Sequence, residues 1–142
     1  MNARTIAKRY DNRPEMLVQV LVTLVREQGW VSEDDIRELA DALNLSRADV
    51  HGVVEYYHDF RTEPPGSRIV KLCRAEACQA MGGRALAAHA ERVADGDTTL
   101  EAVYCLGNCA CAPAVMIDGK TYGRVDAQRL DALLASPAVA AS

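Results

Sequence analysis

The sequence predicts an α+β chain in two parts: a three-helix bundle over residues 1–63, then a mixed unit over residues 64–142 ordered β-α-β, β-hairpin, helix. Three observations carry this. Apolar residues recur at helical spacing in three windows before residue 60. After Pro64-Pro65-Gly66 the pattern changes to short runs that suit strands. Asp118-Gly119, set between two such runs, is the signature of a two-residue hairpin.

Met1 to Asn12 is polar and basic (Arg4, Lys8, Arg9) and is expected to be a loosely held terminus. Pro14 suits a first helical turn, where its missing N–H costs nothing. Met16, Leu17, Val20, Leu21, Leu24 and Val25 form an apolar stripe, and Gly29 is a natural stop. Ser32 and Asp35 make a capping box ahead of Ile36, Leu39, Ala40 and Leu43, with Asn44 ending that helix. Ser46 and Asp49 repeat the device ahead of Val50, Val53, Val54 and Tyr57. A bundle this small is marginal alone and is expected to lean on another surface. Tyr56, Tyr57 and Phe60 at its end would form either the join to the second unit or a patch facing a partner.

Arg61 to Ser67 is a linker. A strand is expected from Arg68 to Leu72, ending at Cys73; an alanine-rich helix from Ala80 to Val93, its first turn weakened by Gly82 and Gly83 at about 1 kcal/mol each; and a turn at Asp95-Gly96-Asp97. A second strand runs from Leu100 to Tyr104, ending at Cys105, and a third from Pro113 to Ile117. The hairpin continues through Thr121–Val125, and Asp126 caps a last helix carrying Leu130, Leu133 and Leu134. Pro137 onward is expected to be a frayed tail.

A strand–helix–strand unit implies parallel strands with a right-handed crossover, so both strands finish at one edge of the sheet. Cys73 and Cys105 end those two strands. Sequence order alone therefore brings two thiol loops together: Cys73-x4-Cys78 and, after twenty-six residues, Cys105-x3-Cys109. Four thiolates in two short loops suit a tetrahedral metal site or a 2Fe–2S cluster. Zinc knuckles commonly use a two-residue spacer, whereas spacers of four and three lean towards two irons with two sulfurs each. Zinc and plainly buried thiols remain the alternatives. Cys111, two residues beyond Cys109, would either replace it as fourth ligand or lie behind the site as a buried thiol. Gly107 would let the backbone approach a cluster closely. Loop N–H groups donating to sulfur would raise its reduction potential, with Arg74 and Arg84 as surface contributors. His51, His58 and His89 are expected to be surface or packing residues. The β-α-β, β-β-α order is half-way to a thioredoxin layout, in which the Ala112–Pro113 bond would be cis.

Composition narrows the function. Across 142 residues the hydrophobic share is 49%, the charged share 25% and the formal charge −4, which suits a globular protein and argues against non-specific nucleic-acid binding. Neither a membrane span nor a secretory signal is expected. Five cysteines in such a chain point to a reducing, cytoplasmic setting and to metal ligation rather than disulfides. No phosphate loop, nucleophile triad or carboxylate pair is present, so no catalytic site is expected.

Cys-x4-Cys together with Cys105-Leu-Gly-Asn-Cys109 and Ala112-Pro113, preceded by the stretch from His51 to Phe60 (HGVVEYYHDF), resembles the thioredoxin-like 2Fe–2S ferredoxin family. That family includes the small iron–sulfur subunit of respiratory complex I and its relatives in NAD-reducing hydrogenases. The resemblance spans Arg13 to Leu134; Cys111 departs from it, standing where complex I subunits commonly have a small or polar residue. The stretch from Cys73 to Ala80 (CRAEACQA) is more particularly similar to the gamma subunit of soluble, NAD-dependent formate dehydrogenases. The resemblance implies one 2Fe–2S cluster, with Cys73 and Cys78 holding one iron and Cys105 and Cys109 the other. It further implies docking on a flavin- and NAD-binding iron–sulfur subunit of beta type, in a complex whose molybdenum- or tungsten-containing subunit oxidises formate. FMN, NAD and the molybdenum or tungsten cofactor would then sit on partner subunits only.

Overall fold

The computed structural model describes residues 2–136. The chain divides into two compact units, Met1–Pro64 and Pro65–Ser142.

The first unit holds four helices: α1 (Ala3–Arg9), α2 (Leu17–Gln28), α3 (Glu33–Leu43) and α4 (Arg47–Tyr56). The three expected helices are present, and α1 precedes them where a loose terminus was expected. Asn2 starts it, its side chain accepting from the Thr5 N–H at 3.0 Å. Ala3, Ile6 and Ala7 are fully buried; the two small alanines let α1 lie close against α2 and α3, and Ile6 fills the space between. Pro14 opens a short 3-10 turn, Pro14–Met16, that leads into α2. Gly29 and Asn44 end α2 and α3 in the left-handed conformation. Leu21, Leu24, Ile36, Leu39, Leu43 and Val50 fill the core, which Phe60 joins.

Both capping boxes form. Ser32 Oγ accepts from the Asp35 N–H at 3.1 Å, while Asp35 Oδ2 accepts from the Ser32 N–H at 2.9 Å and from Gln28 Nε2 at 2.7 Å. Asp35 is buried, so its satisfaction rests on these donors. Ser32→Ala is expected to lower stability by about 1 kcal/mol, read as a lower urea midpoint at unchanged slope.

In the second unit β1 (Arg68–Cys73) pairs in parallel with β2 (Thr98–Val103) and antiparallel with β3 (Val115–Ile117), which pairs antiparallel with β4 (Lys120–Tyr122). The order across the sheet is β2-β1-β3-β4. Two helices, α6 (Gly83–Val93) and α7 (Ala127–Ala135), pack against each other, and α6 packs on β1. Val70, Leu86, Ala90, Val115, Val125 and Leu130 make the core. Asp118 and Gly119 both take positive φ, as a type I′ hairpin requires. Asp126 caps α7, accepting from the Arg129 N–H at 2.7 Å. At the other end of α7 the buried Arg68 guanidinium donates to the carbonyls of Leu134 and Ser136, pairing groups the helix itself leaves free. The mixed sheet with helices bears out the α+β class and the thioredoxin-like layout.

Several boundaries differ from expectation. β2 runs Thr98–Val103 rather than Leu100 to Tyr104, so it stops two residues short of Cys105. The helix expected from Ala80 to Val93 is two: α5 (Glu76–Ala80), then α6, with Gly82 between them at φ 100°. That left-handed residue changes the chain direction, which a side chain would resist. The third strand starts at Val115, since Pro113 offers no N–H to a ladder. β4 stops at Tyr122, because the Arg124 N–H turns away to donate to the Cys111 carbonyl at 2.6 Å. The tail from Pro137 lies outside the described residues. No helix among the described residues is long and apolar enough to cross a membrane.

Candidate functional site

The site lies at the common end of β1 and β2. Cys73 is the last residue of β1 and stands in register with Val103, the last of β2. The Arg74 N–H donates to the Val103 carbonyl at 2.7 Å and locks the two tips together. Cys105 follows two residues later, at φ 119°. Ala114, just ahead of β3, ties the first pair of thiols: its carbonyl accepts from the Cys73 N–H at 3.3 Å, and its N–H donates to Cys78 Sγ at 3.4 Å. Cys78 is not in a loop as expected but on α5, which starts inside the Cys-x4-Cys stretch.

The two pairs have different surroundings. Cys73 and Cys78 are 4% and 2% exposed, among Ala75, Ala77, Ala112 and Ala114. Burial pushes the Cys78 thiol up, and the Cys73 sulfur beside it pushes the same way, against the Ala114 N–H. Cys105 and Cys109 are exposed, their sulfurs 3.6 Å apart. The Gly107 N–H donates to Cys105 Sγ at 3.2 Å, and this bond, then the Cys109 thiol, lowers the Cys105 thiol below its ordinary value. Cys109 is correspondingly raised, chiefly by that bond to Cys105 and by its charge. The Cys109 thiol also feels Cys73, and Cys78 feels Cys109, so the two pairs meet at one place.

A lowered thiol holds more thiolate at neutral pH, and thiolate is the reactive form. In the metal-free chain iodoacetamide is therefore expected to modify Cys105 ahead of Cys78, with the preference narrowing as the pH rises. Peptide mapping of a time course checks this.

The donor set suits a cluster better than one ion. All five thiols are free, and four of them form the two pairs. Two pairs side by side are what two irons need. Two backbone N–H groups already aim at sulfur, as they would at cluster thiolates.

Cys111 is half-buried in the 3-10 turn Cys109–Cys111. Its Cβ lies where a Cβ on Gly123 would approach to 2.6 Å, so Gly123 makes room for that turn. Gly83 does the same beneath α5, where a Cβ would meet the Cys78 carbonyl oxygen at 2.7 Å. Neither Gly123 nor Ala114 is singled out by the sequence: Ala114 is next to Pro113, but Gly123, twelve residues beyond Cys111, carries no local signal. The Ala112–Pro113 bond is cis, as expected.

Of the other singled-out residues, Arg74 adjoins Cys73 and His89 shares a groove with Cys109, while His51, Tyr56, Tyr57 and Phe60 belong to the first unit. His51 faces Glu55 at 3.6 Å on the first unit. His89 pairs with Asp131 at 2.7 Å; it also lines an open groove of about 740 Å³ with Met81, Arg92, Cys109, Pro113 and Arg124. Arg74 is half-exposed and 3.8 Å from Glu91. Tyr56 and Tyr57 are exposed on the first unit, while Phe60 is packed within it.

Comparison with known proteins agrees with this geometry. Residues 3–138 match the model of the family described as thioredoxin-like [2Fe-2S] ferredoxin. An NADH-quinone oxidoreductase subunit of Rhizobium meliloti (strain 1021) is 34% identical over 139 residues, covering 92% of this chain and 83% of its own length. An NADH-quinone oxidoreductase subunit of Escherichia coli (strain K12) is 28% identical over 134 residues, covering 88% of this chain and 81% of its own. The crystal structure of an NAD+-reducing [NiFe]-hydrogenase in the H2-reduced state superposes with a TM-score of 0.67 at 26% identity. That match covers 80% of this chain but only 21% of the hydrogenase chain. With a family match across nearly its whole length and two pairs of thiols at the tips of parallel strands, the chain belongs to the thioredoxin-like [2Fe-2S] ferredoxin family.

Proposed function

We propose that this chain is the electron-transfer subunit of an NAD-linked oxidoreductase. It would carry one 2Fe–2S cluster, with Cys73 and Cys78 on one iron and Cys105 and Cys109 on the other. The observation that supports this most is the register of β1 and β2, which ends both strands side by side and gathers the two thiol pairs. When bound, such a cluster supplies a one-electron carrier. The chain's own part is to hold the sulfurs, to aim the Gly107 and Ala114 N–H groups at them, and to keep water from one side with the alanines around Cys73 and Cys78. Donors directed at sulfur favour the more negative, reduced state. A potential on the order of −400 mV, as in plant-type ferredoxins, would suit NAD chemistry.

The partner is a flavin- and NAD-binding iron–sulfur subunit. Flavin takes electrons singly and passes hydride to NAD, so one-electron carriers belong beside it. For the parent complex we favour a cytoplasmic NAD-dependent formate dehydrogenase with a separate molybdenum or tungsten subunit, on the likeness of the stretch from Cys73 to Ala80. A second reading, the equivalent subunit of an NADH-quinone oxidoreductase or NAD-reducing hydrogenase, draws support from the named relatives. Native co-purification under anaerobic conditions tests both. Recovery with a flavoprotein and a molybdenum or tungsten subunit, with formate-dependent NAD reduction, supports the first reading. Recovery with quinone-reducing or hydrogen-oxidising activity supports the second, and recovery with no flavoprotein contradicts both.

A further inference from the structure

The two thiol pairs differ in a way that cluster binding alone does not require. Cys73 and Cys78 are shut from solvent, whereas Cys105 and Cys109 are exposed with their sulfurs 3.6 Å apart. A disulfide needs about 2.0 Å, so roughly 1.5 Å of closure separates this pair from a bond. The joining loop can supply that movement. Gly107 sits at φ 73° with open space around it, and Asn108 leads into a single 3-10 turn. Cys111, the remaining candidate partner, is held back by its own turn: its carbonyl accepts from the Arg124 N–H, and its Cβ is tucked against Gly123.

We propose that, when the chain lacks its cluster, peroxide closes a reversible Cys105–Cys109 disulfide, and that this bond bars cluster assembly until it is reduced. The proposal rests on the reading of these two residues as ligands. The chemistry balances in two steps. The Cys105 sulfur takes one oxygen from hydrogen peroxide, giving a sulfenic acid and one water. The Cys109 thiol then attacks that sulfur, forming the S–S bond and releasing a second water. Two thiols are oxidised by two electrons in all, and one peroxide is reduced to two waters. A dithiol reductant reverses the bond by exchange. The bond protects the exposed pair from further oxidation to sulfinic acid, which thiols do not reverse. The buried pair is shielded already.

The test uses the full-length chain, freed of iron under anaerobic conditions and treated with hydrogen peroxide. Expected are a mass loss of two hydrogens, a Cys105–Cys109 cross-link on non-reducing peptide mapping, and loss of cluster formation from iron and sulfide. Dithiothreitol should restore that loading. Cys73→Ser and Cys111→Ser should keep the cross-link, and Cys109→Ser should lose it. A cross-link through Cys111, or sulfinic acid at Cys105 without any cross-link, overturns the proposal while leaving the ligand reading intact. A Cys105–Cys109 bond that leaves loading unchanged overturns the barrier, and the assignment of these residues as ligands with it.

Discussion

Cys73→Ala is expected to abolish the visible absorption of the purified chain, whereas Cys111→Ala should keep most of it. Cys73 ends β1, is 4% exposed, and its sulfur interacts with those of both Cys78 and Cys109. On the proposed assignment, removing it would leave one iron with a single protein sulfur in a pocket of alanines, where no side chain can stand in. Cys105→Ala should have the same outcome from the exposed side. Cys111 is different because its Cβ lies against Gly123 and its carbonyl accepts from the Arg124 N–H, contacts that neither thiol of the pair makes. Absorption, iron and acid-labile sulfide, measured on the three variants beside the parent, check the assignment. Loss of the cluster in Cys111→Ala with retention in Cys109→Ala would make Cys111 the fourth ligand.

Gly66→Ala should cost about 3 kcal/mol, the upper end for forcing an atom into packed structure. A Cβ on Gly66 would lie 2.0 Å from the Asp97 carbonyl oxygen and 2.5 Å from its carbon, both backbone atoms that cannot rotate aside. Around it the Gly66 N–H donates to Thr99 Oγ1 at 2.8 Å and the Ser67 N–H to Asp97 Oδ1 at 3.1 Å. These bonds bring the starts of β1 and β2 together. Because the same ladder sets Cys73 beside Val103 at the far end, the variant should also retain less cluster after dilution. Gly52→Ala is the control: it lies in α4 with nothing within 4 Å of a Cβ, and should gain up to about 1 kcal/mol. Urea unfolding followed by circular dichroism compares the two.

What could be read in advance was whatever a few neighbouring residues decide. Ser32 with Asp35, Ser46 with Asp49, Asn44 and Asp118-Gly119 act within one turn of chain, and each did in the fold what its chemistry implies. The parallel β1–β2 pair was legible because a crossover of that length has one preferred hand. The N-terminal helix was hidden because only Ala3, Ile6 and Ala7 mark its inner face. Its stability comes from burial against α2 and α3 rather than from its own pattern. Placing Cys78 on α5 depended on a break at Gly82 that two adjacent glycines left ambiguous. The role of Arg68, reaching carbonyls more than sixty residues away, has no local signature at all.

The central claim is that two strand tips gather four sulfurs around two irons. Its most direct test is the iron, sulfide and zinc content of the chain purified without oxygen, taken with its visible spectrum. Two irons and two sulfides per chain, in coloured protein that bleaches on reduction, is the predicted result. Colourless, iron-free protein carrying one zinc and still assembling with its native partners would contradict it.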